Sequence, residues 1–249
     1  MKKVSLLFAL SFIVFMLIGL WVGAAVYRHK ETQPVLEKTS TQIPKLANGQ
    51  RSLLLIGIDQ IDATEPRLIS AWLIIYAPTY QPFTFVNIYP SGAPGEASGS
   101  NTLAKTFRLT KDHHLDANFL KVLADRNIWW SGYIVLDEVA TAKTIEYIGN
   151  IENTPHPING QNVVKGLPHP WENAQAALIG QAGLLQDICW KVFQLSQFPN
   201  LNELYNQVNG HLSTDLDIKL VIDEWQSLAL SSSRSCQFPG LDQQAHLIK

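Results

Sequence analysis

The chain has 249 residues and a formal net charge of −2, with 16% charged residues. An average soluble protein carries about 25%. This balance leaves no electrostatic footprint for nucleic acid and excludes it as a partner. Seven tryptophans in so lightly charged a chain point to apolar surface or an apolar cavity, unless Asn and Gln supply the polar surface instead.

Residues 4–26 form a continuous uncharged run. At about 1.5 Å per helical residue it is long enough to cross a hydrocarbon core of about 30 Å. Lys2 and Lys3 precede it, so residues 1–3 are expected to form a cytoplasmic tail and 4–26 a single transmembrane anchor. Arg28 and Lys30 on the far side oppose that orientation. A cleaved signal peptide is the rival reading, with Gly23, Ala24 and Ala25 as small cleavage-site residues, although its apolar region would normally be shorter. Both readings place the rest of the chain outside the cytoplasm, at the cell membrane. Residues 27–48 are polar, contain Pro34 and Pro44, lack periodicity, and read as a linker.

The domain is expected to span 49–241, with a tail at 242–249. Residues 52–58 are an apolar run closed by Gly57 and Asp59, as in a strand buried on both faces. Residues 71–76 and 83–88 read as a hairpin around a Pro-containing turn at 77–82. Residues 89–101, rich in Gly, Ser, Ala and Pro, read as a long loop. A helix follows over 117–126, with Phe119, Leu120 and Leu123 on one face, and then a short strand over 133–136. Asp137 is placed to cap a helix from Glu138 to about Ile148.

Residues 153–171 carry four prolines and read as irregular. The helix after them, about 173–195, is apolar nearly all round, as in a helix that is buried or lines an apolar pocket. Leu178, Ile179, Ala182, Leu185 and Ile188 are its candidate pocket residues. Residues 201–208 form a shorter helix, Thr214 and Asp217 resemble a capping box opening another, and 233–238 close with a strand. Strands alternating with amphipathic helices predict an α/β fold, a three-layer α-β-α sandwich around a central mixed sheet, preceded by the transmembrane helix. Cys189 and Cys236 can pair in an oxidising compartment, or one can be a buried helical thiol unrelated to the other.

Chemistry is expected where Asp59 follows a buried strand, at the carboxyl end favoured by α/β sites. Asp62, Glu65 and Arg67 share the next loop, and two carboxylates beside an arginine can hold Mg²⁺ and a phosphate. A solvated acidic loop is the plainer alternative. No histidine shows metal-ligand spacing, and neither a nucleophile elbow nor a phosphate loop is present.

In order and spacing these segments resemble the LytR-CpsA-Psr family of cell-envelope proteins over about residues 50–240. The family's opening G-x-D is matched by Gly57-Ile58-Asp59, its R-S-D-T by Arg67-Leu68-Ile69-Ser70, and its P-R-D strand end by Tyr89-Pro90-Ser91. Its asparagine-bearing segment looks like Asn101-Thr102-Leu103-Ala104, its T-D-L-S like Thr214-Asp215-Leu216-Asp217, and its final strand like Cys236–Gly240. Active members transfer glycopolymers from a polyprenyl-pyrophosphate carrier to the cell wall. The resemblance implies acidic residues on Mg²⁺, arginines on the pyrophosphate and an apolar pocket for the polyprenyl chain.

On this pattern Asp59 and Asp62 are the metal candidates and Arg67 the phosphate candidate. The remaining charged positions fall on Ile69, Pro90, Ser91, Pro168 and Pro170, whose side chains supply neither a cation nor a carboxylate. The expectation is a catalytically degenerate domain that binds a polyprenyl-linked lipid or glycan, or supports an active relative. The alternative is a Mg²⁺-dependent glycopolymer phosphotransferase with a rewired site.

Overall fold

The structure, a computed structural model, describes residues 50–77, 83–90, 97–151, 157–194, 199–229 and 235–239. The expected anchor, linker and tail, and most of the turn at 77–82, lie outside these residues. Among the described residues no helix is long and apolar enough to cross a membrane.

Six strands form one mixed sheet: β1 (Arg51–Ile58), β2 (Leu68–Tyr76), β3 (Phe83–Tyr89), β4 (Gly132–Leu136), β5 (Leu212–Thr214) and β6 (Cys236–Gln237), in the order β5-β4-β1-β2-β3-β6. β1 runs antiparallel to β2, with Arg51 opposite Tyr76, and parallel to β4, with Leu53 beside Gly132 and Gly57 beside Leu136. The carboxyl ends of β1 and β4 therefore share one edge of the sheet. β3, antiparallel to β2, also ends at that edge.

Seven helices are described: α1 (Ala97–Thr106), α2 (Ala117–Asp125), α3 (Glu138–Asn150), α4 (Gly160–Gly166), α5 (Ala174–Gln194), α6 (Leu201–Val208) and α7 (Ile218–Ala229). Asp and Asn begin six of them: Asp116, Asp137, Asn159, Asn173, Asn200 and Asp217 each accept from a first-turn N–H. Such a cap satisfies a donor that the helix itself leaves unpaired.

β1 explains the layering. Leu54, Ile56 and Ile58 are buried against α1 and α2, where Leu103, Phe107, Phe119 and Leu123 complete a dense core. The rings of Phe107 and Phe119 meet edge to face, 5.0 Å apart. The alternate residues Leu53, Leu55 and Gly57 are only half-buried, because their face borders an internal cavity. Beyond that cavity, α5 packs through Leu178, Ala182 and Cys189 on Trp72, Phe85 and Phe238. Helices thus cover both faces of the sheet. The expected two-sided burial of this strand is replaced by core on one side and void on the other.

Four sequence expectations need correction. The stretch 89–101 is not all loop, since α1 starts at Ala97, and fully buried Leu103 and Phe107 fix it despite the low helix propensity of Gly and Ser. The proline-bearing stretch 153–171 contains α4, opened by Asn159. Thr214 is a strand residue, donating to the Tyr133 carbonyl at 2.5 Å, and Asp217 caps α7. α5 is not buried all round, for Ile179 is 44% and Trp190 68% exposed.

Candidate functional site

The carboxyl edge of β1 and β4 is shaped by a close approach. A Cβ on Gly57 would meet the Ser70 hydroxyl on β2, which would have to turn away, so glycine lets Ser70 lie close against the strand before the Ile58-Asp59 turn. Asp59 then closes the loop on itself. Its Oδ1 accepts from the Gln60 N–H at 2.7 Å and the Arg67 N–H at 2.8 Å, while its own N–H donates to the Arg67 carbonyl at 3.2 Å. The loop thereby returns Arg67 to the strand end it left.

Beside it, β4 delivers Asp137 and Glu138. Asp137 is 1% exposed; its Oδ1 accepts from the Ala140 N–H, and Oδ2 lies 2.8 Å from Nδ1 of His211. Glu138 donates its N–H to the Asp59 carbonyl at 3.4 Å. Burial raises the Glu138 pKa above the ordinary value; His169 acts against this, and the like charges of Asp59 and Asp137 add to it.

The segment Leu167–Trp171 completes the rim. The His169 ring stacks on Trp171 at 4.4 Å, and its Nδ1 lies 3.9 Å from Glu138 Oε1. Arg67 places its guanidinium 3.5 Å above the Trp171 ring. Stacking uses the flat face of the guanidinium and leaves its N–H edge directed outward. Among the described residues that edge donates to no protein acceptor. Buried Tyr89, at the end of β3, is near enough to Arg67 for that charge to counter the rise that burial imposes on its hydroxyl pKa.

Below the rim lies a cavity of about 400 Å³ between the sheet and helices α3, α4 and α5. It extends from Glu138, Pro168 and His169 at the rim to Tyr76, Phe83 and Phe193 at the opposite edge. Three of its polar lining residues are bonded within the protein. Thr141 and Thr144 donate to the carbonyls of Asp137 and Ala140, at 2.9 and 2.8 Å. Gln181 accepts from Trp72 Nε1 at 3.3 Å and donates to the Ile69 carbonyl at 2.9 Å. What remains is a largely apolar channel with Glu138 and His169 at its mouth.

A second groove, between α3 and α6, is polar, and its groups tie the helices together. Lys143 Nζ donates to the Gln207 carbonyl at 2.7 Å, and the Tyr147 hydroxyl lies 3.3 Å from Glu203.

Of the residues singled out by sequence, Asp59 and Arg67 are brought together at the rim. Asp62 faces His113 at 3.6 Å, with 69% of its side chain exposed. One oxygen of Asp59 is committed to backbone donors, and Asp62 lies beside His113. Among the described residues no cluster of three or more His, Cys, Asp or Glu side chains is placed to hold a metal ion.

Leu185 and Ile188 line the cavity. Leu178 and Ala182 instead belong to the packed core against Trp72, and Ile179 points outward. Cys189 and Cys236 form a disulfide that joins α5 to β6, with their Cα atoms 6.5 Å apart. Sequence reasoning missed Glu138, His169 and Trp171. Glu138 had a usable signal, as the second residue after a strand ending at the same edge as β1. The segment Pro168-His169-Pro170-Trp171, where the resemblance expects arginines, puts a histidine and an indole at the rim instead.

No protein-family model matches the chain, and no curated protein matches its sequence. Solved structures do resemble it. TagV from Bacillus subtilis is 14% identical over 78% of this chain and 85% of its own, with a TM-score of 0.50. A LytR-Csp2A-Psr enzyme from Actinomyces oris is 15% identical over 76% and 80%, also with a TM-score of 0.50. Protein gbs0355 from Streptococcus agalactiae is 13% identical over 76% of both chains, again with a TM-score of 0.50. At this identity the likeness establishes the fold: the chain has a LytR-CpsA-Psr-like fold.

Proposed function

We propose that this chain is a membrane-anchored, extracytoplasmic domain of the cell envelope that holds a polyprenyl-linked lipid and does not itself carry out phosphotransfer. The observation that carries this reading is the apolar cavity below the rim of Arg67, His169 and Glu138. The chain buries the isoprenoid tail against β1, β2 and α5, and the anionic head lies against the outward edge of Arg67. Water expelled from apolar wall and tail supplies most of the affinity, while the guanidinium fixes orientation.

The absence of transfer follows from the residues at the positions that the resemblance makes charged. Ile69, Pro90, Ser91, Pro168 and Pro170 add no positive charge there. The departure of a pyrophosphate group needs its developing charge neutralised by preorganised cations. One guanidinium, on a rim that also carries the carboxylates of Asp59 and Glu138, supplies too little.

The test is native mass spectrometry of the full chain, extracted from a bacterial membrane fraction in mild detergent. A retained polyprenyl phosphate species is the expected result. A folded but empty protein that also fails to take up an added prenyl lipid would overturn the binding reading. Glycopolymer transfer by the purified protein with Mg²⁺ would overturn the degenerate one.

A further inference from the structure

We infer that the mouth of the cavity selects a lipid head with one phosphate and discriminates against a pyrophosphate head. The inference rests on the lipid-binding reading and adds the class of head group.

The selectivity comes from the charge balance at the rim. Arg67 is the fixed cation, with its position set by the indole of Trp171 and its N–H edge unused among the described residues. A planar guanidinium forks onto two oxygens of one phosphate or carboxylate. His169, stacked on the same indole, adds a second positive charge only when protonated. Against these stand Glu138, 3.9 Å from His169, and Asp59, whose charge Glu138 senses. Residues 68–104 include the ends of β2 and β3 at this edge, and they contain no Lys, Arg or His. With His169 neutral, the described rim therefore sets one guanidinium against two carboxylates, Glu138 and Asp59, before a ligand arrives.

A phosphate monoester carries about −1.5 to −2 near neutral pH, with its last proton at a pKa of about 6, so one proton brings it to a single charge that one guanidinium can match. A second phosphate adds negative charge that meets Glu138 and Asp59 rather than another cation. A like charge in a partly desolvated mouth is disfavoured.

The experiment is calorimetric titration of the full chain in detergent with three probes sharing one tail: farnesol, farnesyl phosphate and farnesyl pyrophosphate, each with EDTA and with Mg²⁺. The phosphate should bind at least about tenfold tighter than the pyrophosphate and the alcohol. In Arg67→Gln the phosphate's advantage over the alcohol should vanish. In Glu138→Gln the pyrophosphate should gain about tenfold, an effect that a merely structural glutamate would not produce. Pyrophosphate binding as tight as phosphate binding, in either condition, overturns the inference and leaves lipid binding intact. Alcohol binding as tightly as the phosphate does the same. Failure of all three probes to bind folded protein overturns the lipid-binding reading itself, and this inference with it.

Discussion

Replacing Leu185 by tryptophan should fill space rather than strain the fold. Leu185 lies on α5 at the cavity wall, half-buried, beside a void of about 400 Å³. In a close-packed core such an enlargement costs about 1–3 kcal/mol. Here the added ring atoms have room. Two or three methylene equivalents newly buried, at about 0.8 kcal/mol each, give roughly 2 kcal/mol of added stability. For a domain of this size about 1 kcal/mol moves Tm by about 2–4 °C, so a rise of about 4–8 °C is expected. The same volume is then closed to a prenyl chain, and lipid retention should fall at least tenfold.

Leu103→Trp is the control, because Leu103 is fully buried in the dense core under α1 and should lose about 1–3 kcal/mol. Thermal melts and native mass spectrometry on both variants read the two effects separately. The reasoning is refuted if Leu185→Trp destabilises as much as Leu103→Trp, or if it retains lipid like the wild type.

Three further outcomes follow from the rim and its supports. Glu138→Gln should raise Tm near pH 7. A carboxyl whose folded pKa is raised binds its proton more tightly when folded, so the wild type loses stability as pH rises through that window; below the ordinary value of 4.5 both states are protonated and the advantage of the variant should fade. Melts from pH 4 to 8 check the sign, and an advantage that grows on acidification refutes it. Asp137→Ala removes the cap of α3 and the buried partner of His211, and should cost about 3 kcal/mol in urea denaturation, the low end for a broken pair because His211 is 35% exposed. Replacing Cys189 and Cys236 by serine opens a loop of 47 residues and should cost about 2–4 kcal/mol, seen as a lower Tm that reducing agent no longer shifts.

Much of the framework was legible because it is local. Strand β1 shows as a continuous apolar run, and α2 as Phe119, Leu120 and Leu123 on one face. Asp137 caps a helix that begins where the apolar periodicity does. Helices α1 and α4 were hidden because Gly, Ser and Pro are weak local signals, and distant packing outweighs them. A Cβ on Gly160 would strike the Ala142 backbone, so α4 is held by contact with α3 across intervening loop, not by its own propensity.

At the site the division is sharper. The sequence by itself determined an apolar chain segment at 4–26, the strand ending in Gly57-Ile58-Asp59, a long apolar helix, and a stretch from 68 to 104 without Lys, Arg or His. These are properties of neighbouring residues or of composition. Only the tertiary structure decided which side of that helix faces a void, with Leu185 and Ile188 turned inward and Ile179 outward. It also put Arg67, Glu138, His169 and Trp171 on one rim, from a loop, a helix start and a proline-held segment up to 104 residues apart. Hydrophobic periodicity names a face that wants burial. It does not say what the face will meet, because that depends on how strands from distant parts of the chain pair in the sheet.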